Sequence, residues 1–257
     1  MRILITNDDG INAPGLRVME EIANALSDDV WIVAPAFEQS GVAHCISYSH
    51  PTLLSQMSER RFAAEGSPAD CVLIGLYHAM PSPPDLILSG VNRGNNAADN
   101  TLYSGTIGAA MEAALQGIPA IALSQYLGPQ NAKIANPFEA AAIHGAEIVS
   151  KLWENGRWDD ADYRLFYNVN FPPCPATGVK GTKVATQGHR PNTKFKAEAQ
   201  ISPTGREFMW IKGGPQHEPT KPGTDAQACL EGYTAVTPMR ADLTDHALIG
   251  ELEGIFT

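Results

Sequence analysis

Met1-Arg2-Ile3-Leu4-Ile5-Thr6-Asn7-Asp8-Asp9-Gly10 is the stretch from which the rest of the chain is read. Its apolar run, Ile3 to Ile5, stops abruptly at polar residues and a glycine. Ile11 to Gly15 follows, and then Leu16, Met19, Ile22, Ala23 and Leu26 recur at helical spacing. The pattern is strand, tight loop, helix: the first half of a βαβ unit. Open parallel sheets bind ligands at the carboxyl ends of their strands, which is where Asp8 and Asp9 fall. Two adjacent carboxylates repel each other unless a cation lies between them. A hard divalent ion such as Mg²⁺ or Mn²⁺ favours oxygen ligands of this kind. Asn-Asp-Asp-Gly is also ordinary turn chemistry, so other strand ends must weigh in.

Working outward, strands and helices alternate. Val30 to Ala34 is a second apolar strand, ended by Pro35, and the loop Ala36 to Gly41 lies at its carboxyl end. Cys45 to His50 and Phe62 to Glu65 are weaker strand candidates. Ser67-Pro68-Ala69-Asp70 reads as a helix start, with Val72, Leu73, Leu76 and Met80 turned inward and Pro81 to Pro84 ending the helix. Asp85 to Gly90 is a buried strand. It leads into an amide-rich loop, Val91 to Asn100, and then through Ser104-Gly105-Thr106 into a small-residue helix, Ile107 to Gln116. Pro119 to Ser124 returns as a strand. Asn136-Pro137-Phe138-Glu139 predicts a capping box for a helix reaching Trp153, and Leu165 to Phe171 is a further strand. This alternation predicts an α/β fold with a doubly wound, mostly parallel sheet.

The pattern changes after Lys180. Charges and β-formers alternate to about Pro222, and Pro203-Thr204-Gly205 is a turn between candidate strands at Lys194–Ile201 and Glu207–Ile211. We read a β-hairpin arm that leaves the main sheet and packs on another subunit. Thr224 to Leu230 is a short helix, Tyr233 to Thr237 a strand, and Asp242 to Asp245 the start of a terminal helix. The 257 residues divide as one domain, with a core over 1–175, the arm over 180–222, and a closing strand and helix over 223–257.

Composition narrows the function. A net charge of −10 argues against a nucleic-acid polymer as partner, which would need a basic surface. No stretch has the ~20 continuous apolar residues of a membrane helix, and no signal-peptide pattern opens the chain. The four cysteines are scattered, as in a reducing compartment, so a cytoplasmic protein is expected. There is no Walker lysine motif, no Gly-x-Ser-x-Gly elbow, and no Gly-x-Gly-x-x-Gly after the first strand. Three strand-end loops offer oxygen ligands: Asp8 with Asp9, Ser40, and Asn92. That low-charge set suits a cation that keeps several waters and accepts substrate phosphate. Ser104-Gly105-Thr106 at a helix start favours an anion. Together they predict phosphoryl-ester hydrolysis. A response-regulator receiver also pairs acids after its first strand, but its acceptor aspartate is missing at Ser89-Gly90 and Ser124-Gln125. A haloacid-dehalogenase-like phosphatase needs an aspartate where Gly10 stands.

The chain resembles the SurE family (survival protein E), the metal-dependent 5′/3′-nucleotidases. The matching stretches are Ile5 to Gly10, Val33-Ala34-Pro35 with Gln39-Ser40-Gly41, and Gly66 to Val72. Further matches are Ser89 to Gly94, Tyr103 to Thr106, Ala109 to Glu112, Asn168 to Pro172, and Gly232-Tyr233 with Thr237-Pro238. The resemblance implies a Rossmann-like core with an arm used in dimer or tetramer assembly. It also implies phosphate removal from nucleoside monophosphates, with exopolyphosphatase activity in some members. Asp8, Asp9, Ser40 and Asn92 match the family's ligands for one divalent ion per subunit, Mg²⁺ or Mn²⁺, and Asp8 and Asp9 are the expected catalytic pair. Asn96 and Ser104, Gly105 and Thr106 match its phosphate-side loop. The family usually has threonine at Ser67, commonly proline at Asn95, and often a basic residue at Gln39; the last two departures bear on substrate preference.

Overall fold

The computed structural model describes residues 1–159 and 163–256; Thr257, the end of the expected closing segment, lies outside them. The chain opens with β1 (Arg2–Thr6), α1 (Pro14–Asn24), β2 (Asp29–Pro35), β3 (Leu54–Ser58) and β4 (Arg61–Ala64). Next come α2 (Pro68–Ile74), extended by a π-helical turn over Gly75–Ala79, then β5 (Leu86–Arg93), α3 (Gly105–Leu115) and β6 (Ala120–Gln125). After them stand α4 (Glu139–Asn155), β7 (Phe166–Phe171), β8 (Thr182–Val184), β9 (Lys196–Ile201) and β10 (Glu207–Lys212). Helix α5 (Asp225–Leu230), β11 (Thr234–Met239) and α6 (Ile249–Phe256) close the chain.

Nine strands form one sheet in the order β3-β4-β2-β1-β5-β6-β7-β11-β8. The six from β4 to β7 are mutually parallel, while β3 and β11 pair antiparallel with their inner neighbours. From β1 the chain winds one way to β2 and β4; from β5 it winds the other way to β6 and β7. The switch point of this sheet therefore lies between β1 and β5, where ligands collect in open α/β sheets.

Strands buried on both faces read as continuous apolar runs, and successive side chains go to opposite cores. Ile3 and Ile5 join α1 and α4 on one face, with Leu16, Met19, Ile22 and Val149. Leu4 joins α2 and α3 on the other, with Val72, Ile107 and Ala110. Both crossovers β5-α3-β6 and β6-α4-β7 step the same way across the sheet, yet their helices lie on opposite faces. The two crossovers therefore have opposite hands, against the usual uniformity of such connections.

Hairpin β9–β10 stands apart as its own antiparallel sheet, joining Lys196–Ile201 to Glu207–Lys212. Some local expectations are corrected. Cys45 to His50 forms no strand; it is pinned by a bond from Ser67 Oγ to the Cys45 carbonyl (2.6 Å) and one from Ser47 Oγ to Asp70 (2.6 Å). The box predicted at Asn136 does not form. The N-cap is Phe138, whose N–H donates to Asn136 Oδ1 at 3.0 Å, and Glu139 instead accepts from Ala176 N at 2.9 Å. Proline at 137 keeps Asn136 out of the helical region. Asp242 and Asp245 accept bonds two residues ahead, from Thr244 N and Ala247 N, which makes turns and delays the last helix to Ile249. Ser67, by contrast, makes a full capping box with Asp70.

Candidate active site

Asp8 and Asp9 leave the end of β1, and the loop survives its sharp turn because Gly10 takes φ +99°. Asn7 Nδ2 donates to the Gly10 carbonyl at 2.9 Å, locking the turn, and Gln39 N donates to the Asp8 carbonyl at 2.7 Å. The second bond brings the β2 loop, with Ser40, alongside the β1 loop. At β5 the register slips between Gly90 and Asn92, so the strand bends outward as it delivers Asn92 and Arg93. Arg93 N donates to Asp9 Oδ2 at 2.8 Å. Three strand ends thus converge.

Helix α3 supplies the floor. Its first turn reaches Asp8 because it is built from small residues. A Cβ on Gly105 would lie 3.0 Å from Asp8 Cβ, and one on Gly108 would lie 2.4 Å from the Ala43 carbonyl. Ser104 caps the helix by accepting from Ile107 N at 3.1 Å. Thr106 is fully buried and donates its hydroxyl to Asp8 Oδ1 at 2.7 Å, while its N–H reaches Oδ2 at 3.3 Å. Gly105 and Thr106 therefore lie beneath Asp8, and the lip of this turn is Ser104.

Electrostatics concentrate on the acids. Burial, and to a smaller extent the charge of Asp9, push the Asp8 carboxyl up to about 6, against the pull of Thr106. Asp9 is also raised, chiefly by burial with Glu38 adding to it, while the Arg93 N–H opposes the shift. Ser40 is exposed and donates to Glu38 Oε1 at 2.8 Å, leaving its lone pairs open. Asn92 Nδ2 donates to the Gly94 carbonyl at 3.2 Å, which assigns its Oδ1 to another partner. A buried carboxylate beside another carboxylate, a hydroxyl and an amide oxygen is a donor set that fits a hard divalent cation.

These groups open on a cavity of about 810 Å³, lined by Asp8, Ser40, Asn92, Asn96, Ser104 and residues of the arm. Pockets that take small ligands fall in this size range. Asp9, Gly105 and Thr106 adjoin it without lining it, through Asp8 and Ser104. Asn96 is held from below: its N–H donates to Asn170 Oδ1 (2.8 Å), its carbonyl accepts from Asn168 Nδ2 (2.8 Å), and its Nδ2 donates to Ser124 Oγ (2.8 Å). Sequence reasoning gave Asn168 and Asn170 no part in the site. Their signal was legible: two alternate asparagines, both buried, in an otherwise apolar strand need polar partners. Glu38 and the arm's cavity residues carried no comparable local signal.

A mostly parallel α/β sheet with paired acids, a capped helix start and amides at its switch point defines a ligand-binding α/β protein. A sequence model of the family described as Survival protein SurE matches residues 3–194. A relative from Cereibacter sphaeroides, named 5'-nucleotidase SurE, is 64% identical over 99% of both chains. Another of that name, from Roseobacter denitrificans, is 64% identical over the whole of both. The crystal structure of SurE protein from Aquifex aeolicus matches the fold with a TM-score of 0.82 and 34% identity, covering 100% of both chains. The chain belongs to the SurE family.

Proposed function

We propose that this protein is a metal-dependent phosphomonoesterase that hydrolyses nucleoside 5′-monophosphates, and also 3′-monophosphates, to nucleoside and phosphate. The terminal phosphate of polyphosphate is a further substrate of the same site. The observation that carries this reading is the meeting of Asp8, Ser40, Asn92 and Ser104, the cap of α3, around one cavity at the switch point, with Asp9 next to Asp8 in the chain. The name borne by the relatives from Cereibacter sphaeroides and Roseobacter denitrificans supports it.

Asp8, Asp9, Ser40 and Asn92 would hold one Mg²⁺ or Mn²⁺ per subunit. When bound, the cation offsets the two carboxylates and draws charge from the phosphoryl oxygens. The chain does the rest. The positive end of the α3 dipole and the Ser104 hydroxyl favour the phosphate dianion, and Asn96 bounds the same end of the cavity. Thr106 keeps the Asp8 carboxylate turned to one side through its hydroxyl bond. Water attacks phosphorus, the ester P–O bond breaks, and the leaving oxygen takes up a proton. A protein of net charge −10 needs such local positive potential to admit an anion.

The chain works as one domain, whose core is 1–175 and whose arm, 180–222, joins copies into a dimer or tetramer. Among the described residues no helix is long and apolar enough to cross a membrane. The deciding experiment is phosphate release from 5′- and 3′-nucleoside monophosphates with Mg²⁺, with Mn²⁺, and with a chelator. Metal-dependent release that falls at least a hundredfold in Asp9→Asn is expected. Release that persists in chelator, or unchanged turnover of Asp9→Asn at saturating metal, sinks the assignment.

A further inference from the structure

Asn95 is the hub of a polar cluster that ties the loop after β5 to the arm. Its Oδ1 accepts from Arg190 Nη2 at 2.9 Å and from Asn100 Nδ2 at 3.2 Å. Asn100 Nδ2 also donates to Gln216 Oε1 at 2.6 Å, and Asn95 Nδ2 reaches the same oxygen at 3.5 Å. Arg190 and Gln216 are the two roots of the arm: one precedes β9 and the other follows β10. Arg190 is only 2% exposed and grips the catalytic loop at two further points, through Nη1 to the Ala97 carbonyl (2.9 Å) and N–H to Asp99 Oδ2 (2.7 Å). Tyr126 donates its hydroxyl to the Gln216 carbonyl, so the second root is also tied to the sheet.

The arm's own contribution to the cavity is uncharged. Phe195, Ile211, Gly213 and Gln216 line it, together with Asn95 and Asn100. Phe195 meets Tyr103 edge to face, with ring centroids 4.8 Å apart. The arm thus adds amide and aromatic groups to a cavity that Asp8 and the α3 cap Ser104 also line. Amides offer both donors and acceptors, which suits ribose hydroxyls and base edges, and aromatic faces stack on any base.

We infer that the Asn95–Asn100–Gln216 amide cluster, latched by Arg190, builds the nucleoside end of this cavity by holding both roots of the arm against the phosphate-side loop. Asn95 is on this view a positioning residue. The inference rests on the phosphomonoesterase reading and adds that ester selectivity is set from the arm.

The test compares wild type with Asn95→Ala, Asn95→Asp and Gln216→Ala on two esters, a nucleoside 5′-monophosphate and glycerol 1-phosphate, which occupies the phosphate end alone. Asn95→Ala and Gln216→Ala are expected to lower the nucleotide-over-glycerol-phosphate ratio of kcat/KM about tenfold, with the loss in nucleotide KM. Asn95→Asp keeps the acceptor for Arg190 and should restore the ratio to within about threefold. Calorimetric titration of the nucleotide runs alongside, so that binding is read without turnover. A wild type that hydrolyses neither ester defeats the phosphomonoesterase reading, yet an unchanged Kd in the two alanine variants would still overturn the latch. Equal loss on both esters, or no loss on either, also overturns it.

Discussion

Asp8 is almost wholly out of water, with a second carboxylate next to it in sequence, and this sets its titration. Its folded value of about 6 stands above the ordinary 3.8. Between those two values the folded state keeps a proton that the unfolded chain has released. Metal-free stability must therefore fall as pH rises through roughly 4 to 6, and stay reduced above it. Asp8→Asn removes that penalty. In chelator at pH 8 the variant should be more stable than wild type by up to about 3 kcal/mol, and at pH 4 nearly equal to it. Urea denaturation at the two pH values reads the difference; a gap that does not change with pH refutes the assignment. Thr106 acts on the same carboxyl in the opposite sense, since its hydroxyl bond lowers the value. Thr106→Val should raise Asp8 further and move the acid limb of the rate profile to higher pH, with activity falling on the order of tenfold. An unmoved acid limb would show that the bond has no bearing on the titration.

At the scale of elements, the site depends on how closely α1 approaches the end of β5. Gly15, in the first turn of α1, is the contact point: a Cβ there would lie 1.9 Å from the Val91 carbonyl, one residue before Asn92. A backbone atom cannot swing aside as a side chain can. Gly15→Ala should therefore destabilise the protein by about 3 kcal/mol and weaken metal affinity by displacing Asn92. Thermal unfolding and a metal titration check this; full stability with wild-type affinity would mean that the two elements are free to part. The elements themselves were legible where an apolar run ends in a breaker, as at Thr6-Asn7-Asp8 and Pro35; at Ser89-Gly90, read as the end of the third strand, the register shifts but the strand runs on to Arg93. Strand order was not legible, because pairing of β1 with β5 joins residues 3–6 to 86–89 and leaves no local trace. Edge strands β3 and β8 were missed for a different reason. They are short and mostly exposed, so neither carries the apolar pattern that burial imposes. The box at Asn136 failed because two helix signals, Asn and Glu, were each drawn to other partners. In the site, the acids and Ser104 announced themselves by residue type. Arg190 and Gln216 reach it only through the arm's return, a purely tertiary fact.

For the whole molecule, the arm is a two-stranded sheet with no core of its own, which in water is marginal at best. Register puts Ala197, Ala199 and Ile201 on one face with Met209 and Ile211, and Glu207 opposite Ile201 at its end. The other face carries an ion pair, Lys212 with Glu198 at 2.5 Å, and Trp210 Nε1 donating to Gln200 Oε1 at 2.6 Å. The first face is mostly apolar and open: Ile201 is 61% exposed and Met209 57%. Elsewhere, helix α6 also exposes Leu252, Ile255 and Phe256. The assembly proposed above would cover the hairpin's apolar face with a second copy, which presents the same face by symmetry. On that proposal, Met209→Lys together with Ile201→Lys should leave the protein monomeric in light scattering, since the contact would bury lysine ammonium groups against the same groups of the second copy. Because the arm also walls the cavity, the monomer should lose nucleotide affinity while Asp8, Asp9 and Asn92 keep the cation. Wild-type scattering mass in the double variant would place the contact elsewhere. Monomer with unchanged nucleotide affinity would show that the arm's roots, latched by Arg190 and Gln216, hold the wall without a partner.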